Sequence, residues 1–281
     1  MKNKDQIVER FLKQTIVLDT ESTGIDAKEA EICEIGVACA LNGKTCASGS
    51  FLFGTKEPIP FAASSKNNIS RAMLDGLPTL GENLEVAVDM LCLGDENIKY
   101  FAAHNYQYDI TILTHSFNRI NEQALADEVN NKKWICTYRL AQHLFKPTEE
   151  NKDISYALNF LRFAFALPCD KLTVHRAGDD SEVCWHLLRY IAYYVLDNVV
   201  DKSELTDDFD LGNFLYELSK QPIEYTTMTF GKHKGTALKD VPMDYYNWLL
   251  KNSDMLNEES PGYDPDFAMS VEKELNRRLG N

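Results

Sequence analysis

The chain has 281 residues, of which 44% are hydrophobic and 26% charged, proportions that exclude disordered and collagen-like chains. This length allows one large domain or two of ordinary size. With 29 basic and 43 acidic residues, the net charge is -14 at pH 7, which excludes binding of nucleic acid by bulk electrostatics alone.

The first residues, MKNKDQIVERFLKQ, lack the apolar core of a signal peptide, and no later stretch stays apolar long enough to span a bilayer. Seven cysteines without a C-x-x-C pair indicate neither a disulfide framework nor a zinc site. We therefore expect a soluble, cytoplasmic protein with reduced thiols and no membrane partner.

The first predicted elements are strands. After a short polar lead, TIVLDT has the continuous apolar pattern of a buried central strand. The strands EICEIGVACAL and TCASGSFLF follow, joined at Asn42-Gly43-Lys44, a sequence typical of a tight hairpin turn. The chain thus begins as a three-stranded meander.

Residues 58–78 are predicted as a loop, and a helix over GENLEVAVDMLCLG and a strand at IKYFAAH follow. YQYDITILTHSFNRI predicts the next helix and WICTY another strand. Further amphipathic helices are predicted at ISYALNFLRFAFAL and SEVCWHLLRYIAYYVL. Strands that alternate with covering helices indicate the α/β class, with a mixed sheet flanked by helices.

The acidic stretch VVDKSELTDDFD predicts a linker near residue 200, and hence two domains, residues 1–200 and 201–281. The second domain is expected to be a small α+β unit. It would contain helices at LGNFLYELSK, YYNWLLKN and VEKELNRRL, and a glycine-punctuated turn at TFGKHKG.

Three groups of acidic residues stand at the ends of these elements. Asp19 and Glu21 close the first strand, and side chains at i and i+2 of a strand share one face. They are either a pair of metal ligands or residues of a solvated loop. Ligands in open α/β sheets bind at the carboxyl ends of strands, which favours the first interpretation.

Asp109 lies in the first turn of the helix after the strand IKYFAAH, where an acid also stabilises the helix dipole. His175 precedes a helix, and Asp180 follows it at the fifth position. Asp179 is a rival to Asp180, Asp179 or Ser181 could instead cap the helix, and His175 could be structural. Together, the three acidic groups and the histidine are what two-metal phosphodiester chemistry requires.

This combination, in this order, resembles the RNase H-like 3'-5' exonucleases of the DEDDh family. Their motifs are similar to DTESTG, to AHNYQYD and to the pair His175 and Asp180. WICTYRLAQHLF and TFGKHKGTALKDVPMDYYNWLL resemble the exodeoxyribonuclease X subgroup of that family, so the similarity extends over both domains. Ser22 replaces the usual threonine, and the acidic NEESPGYDPDF is an insertion of unknown purpose.

The resemblance implies that four acids, Asp19, Glu21, Asp109 and Asp180, hold two Mg²⁺ or Mn²⁺ ions, which suit hard oxygen ligands. His175 would be the general base, since an imidazole can accept a proton near neutral pH. The resemblance also implies that Thr20, Thr23 and Gly24 bind the terminal nucleotide. The resemblance indicates His104 and Asn105 as further substrate-binding residues. Asn105 could equally be a helix N-cap.

In the second domain, the lysines of TFGKHKG, Lys232 and Lys234, could contact phosphates, or could simply lie in a solvated turn. Tyr245, Tyr246 and Trp248 could offer stacking surfaces, although Trp248 is predicted to pack in the core, since helical aromatic residues usually face inward.

We expect a metal-dependent 3'-5' exonuclease that acts on single-stranded or 3'-ended DNA and releases nucleoside 5'-monophosphates. The alternatives are a 3'-5' exoribonuclease, because the same metal chemistry cleaves either polymer, and a non-catalytic nucleic-acid- or protein-binding module on the same fold. The sequence identifies no protein partner.

Overall fold

The computed structural model describes residues 4–147, 154–172, 175–206 and 208–280. The chain divides into two compact units, Met1–Ser219 and Lys220–Asn281. The expected boundary at residue 200 falls inside the first unit, because the helix Leu211–Lys220 buries Leu211 and Leu215 in that unit's core. Among the described residues, no helix is both long and apolar enough to cross a membrane.

The first unit is built on a five-stranded mixed sheet. Its strands are β1 (Thr15–Ser22), β2 (Ile32–Leu41), β3 (Thr45–Leu52), β4 (Tyr100–Ala103) and β5 (Lys133–Cys136). Their order is β3-β2-β1-β4-β5. The first three strands pair antiparallel, whereas β4 is parallel to both β1 and β5. The predicted hairpin is confirmed, with φ of 53° at Asn42 and 78° at Gly43.

Ten helices are described in this unit. They are α1 (Lys4–Lys13), α2 (Phe61–Asn67), α3 (Arg71–Leu74), α4 (Leu84–Met90), α5 (Gln107–Arg119), α6 (Gln123–Asn131), α7 (Thr137–Leu144), α8 (Leu158–Ala164), α9 (Ala177–Asn198) and α10 (Leu211–Lys220). The sheet has a hydrophobic cluster on each face: Ile16 and Leu18 pack in the one that includes α5, and Val17 in the one that includes α9. This alternation along β1 confirms the predicted α/β class.

Four helical regions differ from the sequence-based expectation. The polar lead forms α1, which buries Ile7, Val8, Phe11 and Leu12. The expected loop over residues 58–78 contains α2 and α3, because Ile59, Ile69 and Leu74 pack in a small cluster with Cys33. The sequence pattern also did not predict α6 or α7, and α7 begins inside the expected strand WICTY. Short helices of this kind depend on tertiary burial more than on local propensity.

The second unit contains α11 (Met243–Asn252), α12 (Pro265–Leu279) and three 3-10 turns (Gly231–His233, Leu238–Asp240 and Asp254–Leu256). The sequence predicted an α+β unit, but the β structure in its described residues is an isolated bridge between Thr227 and Ala237. The end of the acidic NEESPGYDPDF has a local role: the Asp264 side chain accepts hydrogen bonds from the Asp266 and Phe267 amides and caps α12.

The sequence predicted that Trp248 packs in the core of the second unit, and this prediction is wrong. Its exposed fraction is 52%. Tyr245, Tyr246 and Leu249 occupy the buried face of α11, so Trp248 lies on the flank of the helix. The helical spacing of the aromatic residues therefore did not predict which flank of α11 Trp248 occupies.

A close backbone contact places α9 against the sheet. Gly36 of β2 is the register partner of Asp19. A Cβ atom at Gly36 would lie 2.0 Å from the carbonyl carbon of Ala177, the first residue of α9. Because only a glycine allows this approach, the first turn of α9 lies directly beside the end of β1.

We predict that Gly36→Ala lowers the free energy of unfolding by about 3 kcal/mol, because the new methyl group overlaps the α9 backbone. Gly49→Ala is the matched control, since a Cβ at this position of β3 would meet no atom within 4 Å. The control should stay within about 0.5 kcal/mol of wild type. Urea unfolding followed by circular dichroism measures both, and equal midpoints for the two variants would contradict the contact.

Candidate metal centre

Three carboxylates meet where β1 ends. Asp19 and Glu21 project from the same face of the strand, and Asp180 comes from the first turn of α9. One oxygen atom from each lies within 4.8 Å of the other two. Asp179 is not in this group, because successive helical residues point about 100° apart. The arrangement gives one divalent cation access to three hard oxygen ligands.

Asp109 adjoins this group from the other side of β1. It lies in the first turn of α5 and is 5% exposed. The Thr20 hydroxyl donates a hydrogen bond of 2.8 Å to Asp109 Oδ1. The parallel pairing of β1 with β4 makes this contact possible, since it brings the carboxyl ends of the two strands to one edge of the sheet.

Burial and mutual repulsion disfavour the ionised forms of these acids. Burial, and then the charges of Asp109, Glu21 and Asp180, raise the pKa of Asp19 well above its ordinary value. Burial, followed by the charges of Asp180, Glu34 and Asp109, raises the pKa of Glu21 to about 7. Burial likewise raises the pKa of Asp109 to about 7, against the lowering effect of the Thr20 hydrogen bond. A bound cation would relieve this repulsion.

His175 precedes α9 and is exposed. Its backbone has a φ of 64°, in the left-handed region, which non-glycine residues adopt at a cost. The His175 N–H donates a hydrogen bond of 3.0 Å to Asp180 Oδ2. This bond lowers the pKa of Asp180, although burial has the larger effect and keeps that pKa raised. The backbone of the histidine and the side chain of the acid are thus held together.

A buried ion pair, which was not predicted from the sequence, supports this segment. Glu34 of β2 is fully buried, and the Arg176 guanidinium donates two hydrogen bonds to it, from Nε (3.0 Å) and Nη2 (2.7 Å). Ser50 and the Ala177 amide donate two more. Burial would raise the pKa of Glu34, but these bonds lower it below its ordinary value.

One signal for this pair was present in the sequence. Glu34 is the only charged residue in ICEIGVACAL, and a glutamate is almost never fully buried unless it is paired. The sequence pattern did not indicate Arg176 as the partner of Glu34, since the two residues are far apart in the chain.

The loop after β1 holds the next predicted residues. The Thr23 hydroxyl accepts a hydrogen bond from the Glu31 amide, and the Thr23 amide donates to the Glu31 carbonyl. The Gly24 carbonyl accepts hydrogen bonds from Ser22 and Tyr108. Directly after them, Ile25 is 97% exposed. Ile25 was not predicted as a site residue, because the sequence pattern does not show whether a single apolar loop residue is exposed.

His104 and Asn105 have different surroundings. Both ring nitrogens of His104 are engaged, Nδ1 with the Thr137 hydroxyl at 2.9 Å and Nε2 with the Tyr156 carbonyl at 2.8 Å. Burial lowers the pKa of His104 to about 4. The ring therefore has no free nitrogen for a direct substrate contact. Asn105 is exposed and has a φ of 72°, and α5 has no side-chain cap.

Comparison with known proteins identifies the fold and the family. A family model described as an exonuclease (RNase T) matches residues 16–188. Exodeoxyribonuclease 10 of Escherichia coli K12 is 25% identical over 246 residues, which are 86% of this chain and 93% of the relative. The epsilon subunit of DNA polymerase III from Treponema pallidum is 29% identical over 181 residues, 64% of this chain and 77% of the relative.

Among solved structures, the cell-death related nuclease CRN-4 has a TM-score of 0.51 and 15% identity, over 92% of this chain and 97% of the other. At this identity the similarity concerns the fold alone. It confirms the expected mixed sheet flanked by helices. Lys232 and Lys234, which were predicted to bind substrate, belong to the second unit and lie outside the matched region.

Breaking the buried ion pair should be costly. We predict that Arg176→Met lowers the free energy of unfolding by about 2 to 4 kcal/mol, because it leaves the negative charge of Glu34 buried without a positive charge beside it. Lys44→Met is the control: Lys44 pairs with Glu9 across 3.3 Å, but its side chain is 70% exposed. The control should lose less than about 1 kcal/mol. Similar losses in urea unfolding would contradict the assigned role of the buried pair.

Without divalent ions, the first unit should become less stable as the pH rises from 6 to 8. Glu21 and Asp109 have a pKa of about 7 in the fold, against about 4 in the unfolded chain. At pH values between these two pKa values, the folded protein therefore binds more protons than the unfolded chain, and its stability falls as these protons are lost.

We expect a melting temperature in EDTA that is about 5 °C lower at pH 8 than at pH 6. Glu21→Gln should reduce this difference, since it removes one of the titrating groups. A difference of equal size in wild type and variant would mean that other groups cause it.

Proposed function

This chain belongs to that exonuclease family, and on this premise we propose that it hydrolyses DNA from the 3' end and releases nucleoside 5'-monophosphates. Exonucleases of the family use divalent metal ions. The observation that carries the proposal is the convergence of Asp19, Glu21 and Asp180 within 4.8 Å, beside the buried Asp109. A non-catalytic module would have no reason to maintain mutually repelling acids at this place.

Two Mg²⁺ or Mn²⁺ ions would be held by the four acids, Asp19, Glu21, Asp109 and Asp180. The donor set fits, because it consists of hard carboxylate oxygens. Burial raises the pKa of Asp19, Glu21 and Asp109, and neighbouring negative charges raise those of Asp19 and Glu21 further. When bound, such ions stabilise the negative charge that develops on the phosphoryl group and the leaving oxygen.

His175 acts as the general base. The side chain is exposed, and an imidazole nitrogen can take the proton from the attacking water. Its backbone hydrogen bond to Asp180 and the adjacent Arg176–Glu34 pair fix the position of the segment from which the ring projects. Arg176 and Glu34 are thus positioning residues.

The loop after β1 receives the terminal nucleotide. Thr23 keeps this loop closed through its two hydrogen bonds with Glu31, and Gly24 allows close approach of the substrate backbone. The exposed Ile25 can pack against a nucleobase. Thr20 acts by orienting Asp109, and His104 by supporting the end of β4. Asn105, exposed in the turn before α5, would contact the substrate strand.

DNA is the preferred substrate in this proposal because Exodeoxyribonuclease 10, as its name says, acts on DNA and is similar over most of both chains. The cytoplasm is the proposed location, since all seven cysteines are free thiols, a state that a reducing compartment maintains.

The direct test uses purified protein with 5'-labelled single-stranded DNA or RNA of the same sequence, in Mg²⁺, Mn²⁺ or EDTA. We expect metal-dependent shortening from the 3' end with release of mononucleotides, faster on DNA. Faster cleavage of RNA would identify an exoribonuclease instead. Binding without cleavage in either metal would contradict the proposed enzyme.

Variants then test the assigned roles. Asp19→Asn and Asp180→Asn should bring cleavage below detection, whereas the neighbouring Asp179→Asn serves as the control and should remain active. His175→Ala should slow cleavage by about 10² to 10⁴, the usual contribution of a general base. If His175→Ala cleaved at nearly the wild-type rate, another group would have to accept the proton.

A further inference from the structure

The second unit exposes a pair of stacked aromatic rings. The Tyr245 and Trp248 rings lie 5.7 Å apart between centroids, with an angle of 15° between their planes. Tyr245 is 9% exposed and anchors the pair in the core, whereas Trp248 is 52% exposed. Since a buried ring supports the exposed one, Trp248 offers a flat surface whose orientation is already fixed.

A cationic turn packs against the same aromatic pair. Lys232 Nζ lies 5.2 Å from the centroid of the Tyr245 ring, and the His233 ring contacts that tyrosine edge-on at 4.6 Å. Gly231 has a φ of 68°, and a Cβ there would lie 2.6 Å from the Tyr245 hydroxyl. The glycine thus allows the turn to approach the ring closely enough to place a lysine beside it.

The charge of this surface differs from that of the whole protein. Residues 226–252 contain four lysines against two aspartates, in a chain with a net charge of -14. Lys232 and Lys234 are both exposed. Within the described part of the chain, neither of them forms an ion pair, whereas Lys273 of the same unit pairs with Glu224 at 2.7 Å. The two lysines therefore keep their charge available to an anionic ligand.

We propose that Trp248, Lys232 and Lys234 form a binding site for single-stranded nucleic acid in the second unit. A base would stack on the exposed face of Trp248, and the lysines would contact adjacent phosphates. Exposed aromatic rings bordered by cations bind single strands with little sequence preference, because every base has a π face. The choice of nucleic acid as the ligand rests on the proposed exonuclease function.

The first test measures affinity in EDTA, where metal-dependent hydrolysis does not occur. Fluorescence anisotropy with labelled oligo(dT) compares full-length wild type with Trp248→Ala and Trp248→Phe. We expect Trp248→Ala to weaken binding about 10-fold, in line with the loss of one stacked base, and Trp248→Phe to retain most of the affinity. Leu250→Ala is the control, since Leu250 is 56% exposed on the same helix, and should bind like wild type.

The second test measures the salt dependence of the same binding. Replacing Lys232 and Lys234 together by glutamine should reduce the slope of log K against log salt concentration by about 1.4, because each phosphate contact to a single strand contributes about 0.7. Lys273→Gln is the matched control and should leave the slope unchanged, since this lysine already pairs with Glu224. Melting temperatures of all variants establish that they are folded.

Unchanged affinity of Trp248→Ala, together with an unchanged salt slope of the double lysine variant, would overturn the proposal. So would self-association of wild type through Trp248, detected by sedimentation in the absence of DNA. These outcomes are independent of catalysis. If the protein hydrolyses DNA but its affinity does not depend on Trp248, the proposed function stands and only this site is excluded. If its affinity depends on Trp248 but it does not hydrolyse DNA, the site stands and only the proposed function is excluded.

Discussion

The fold of the first unit must hold acidic side chains close together at one edge of a sheet. Four carboxylates come from β1, α5 and α9. Burial raises the pKa of all four, and repulsion by the other acids raises those of Asp19 and Glu21 further. Such an arrangement is unfavourable on its own. It is stable only because the surrounding fold contributes more than the cluster costs, and because cations can balance the charge. The same unfavourable feature makes the site suitable for metal-assisted phosphodiester hydrolysis.

Two contacts transmit the geometry of the sheet to the segment that carries His175 and Asp180. Gly36 lets the backbone of α9 lie directly on β2 opposite Asp19, and Glu34 binds Arg176 at the start of the same helix. Both β2 residues lie beside the strand that carries the first acids. A single pair of adjacent strands therefore fixes Asp19 and Glu21 directly, and His175 and Asp180 through α9.

The second unit has a different construction. It has a core of its own around Tyr246, Leu249 and Phe267, and it places an exposed tryptophan and a lysine turn on its surface. An acidic protein gains little from overall attraction to nucleic acid, so local cationic surfaces matter more. Bound cations in the first unit and lysines in the second are two separate ways in which this chain could contact phosphates.

The sequence by itself determined the strands, the hairpin at Asn42-Gly43, the longer helices and the acids at the ends of these elements, because each leaves a local pattern of period, turn residue or spacing. It also determined the family, since the three motifs occur in a fixed order. Only the tertiary structure decided that Glu34 binds Arg176, that both nitrogens of His104 are engaged, and that Trp248 is exposed. These facts depend on contacts between residues distant in the chain, or on which flank of a helix meets the core, and neither is encoded in any short stretch of sequence.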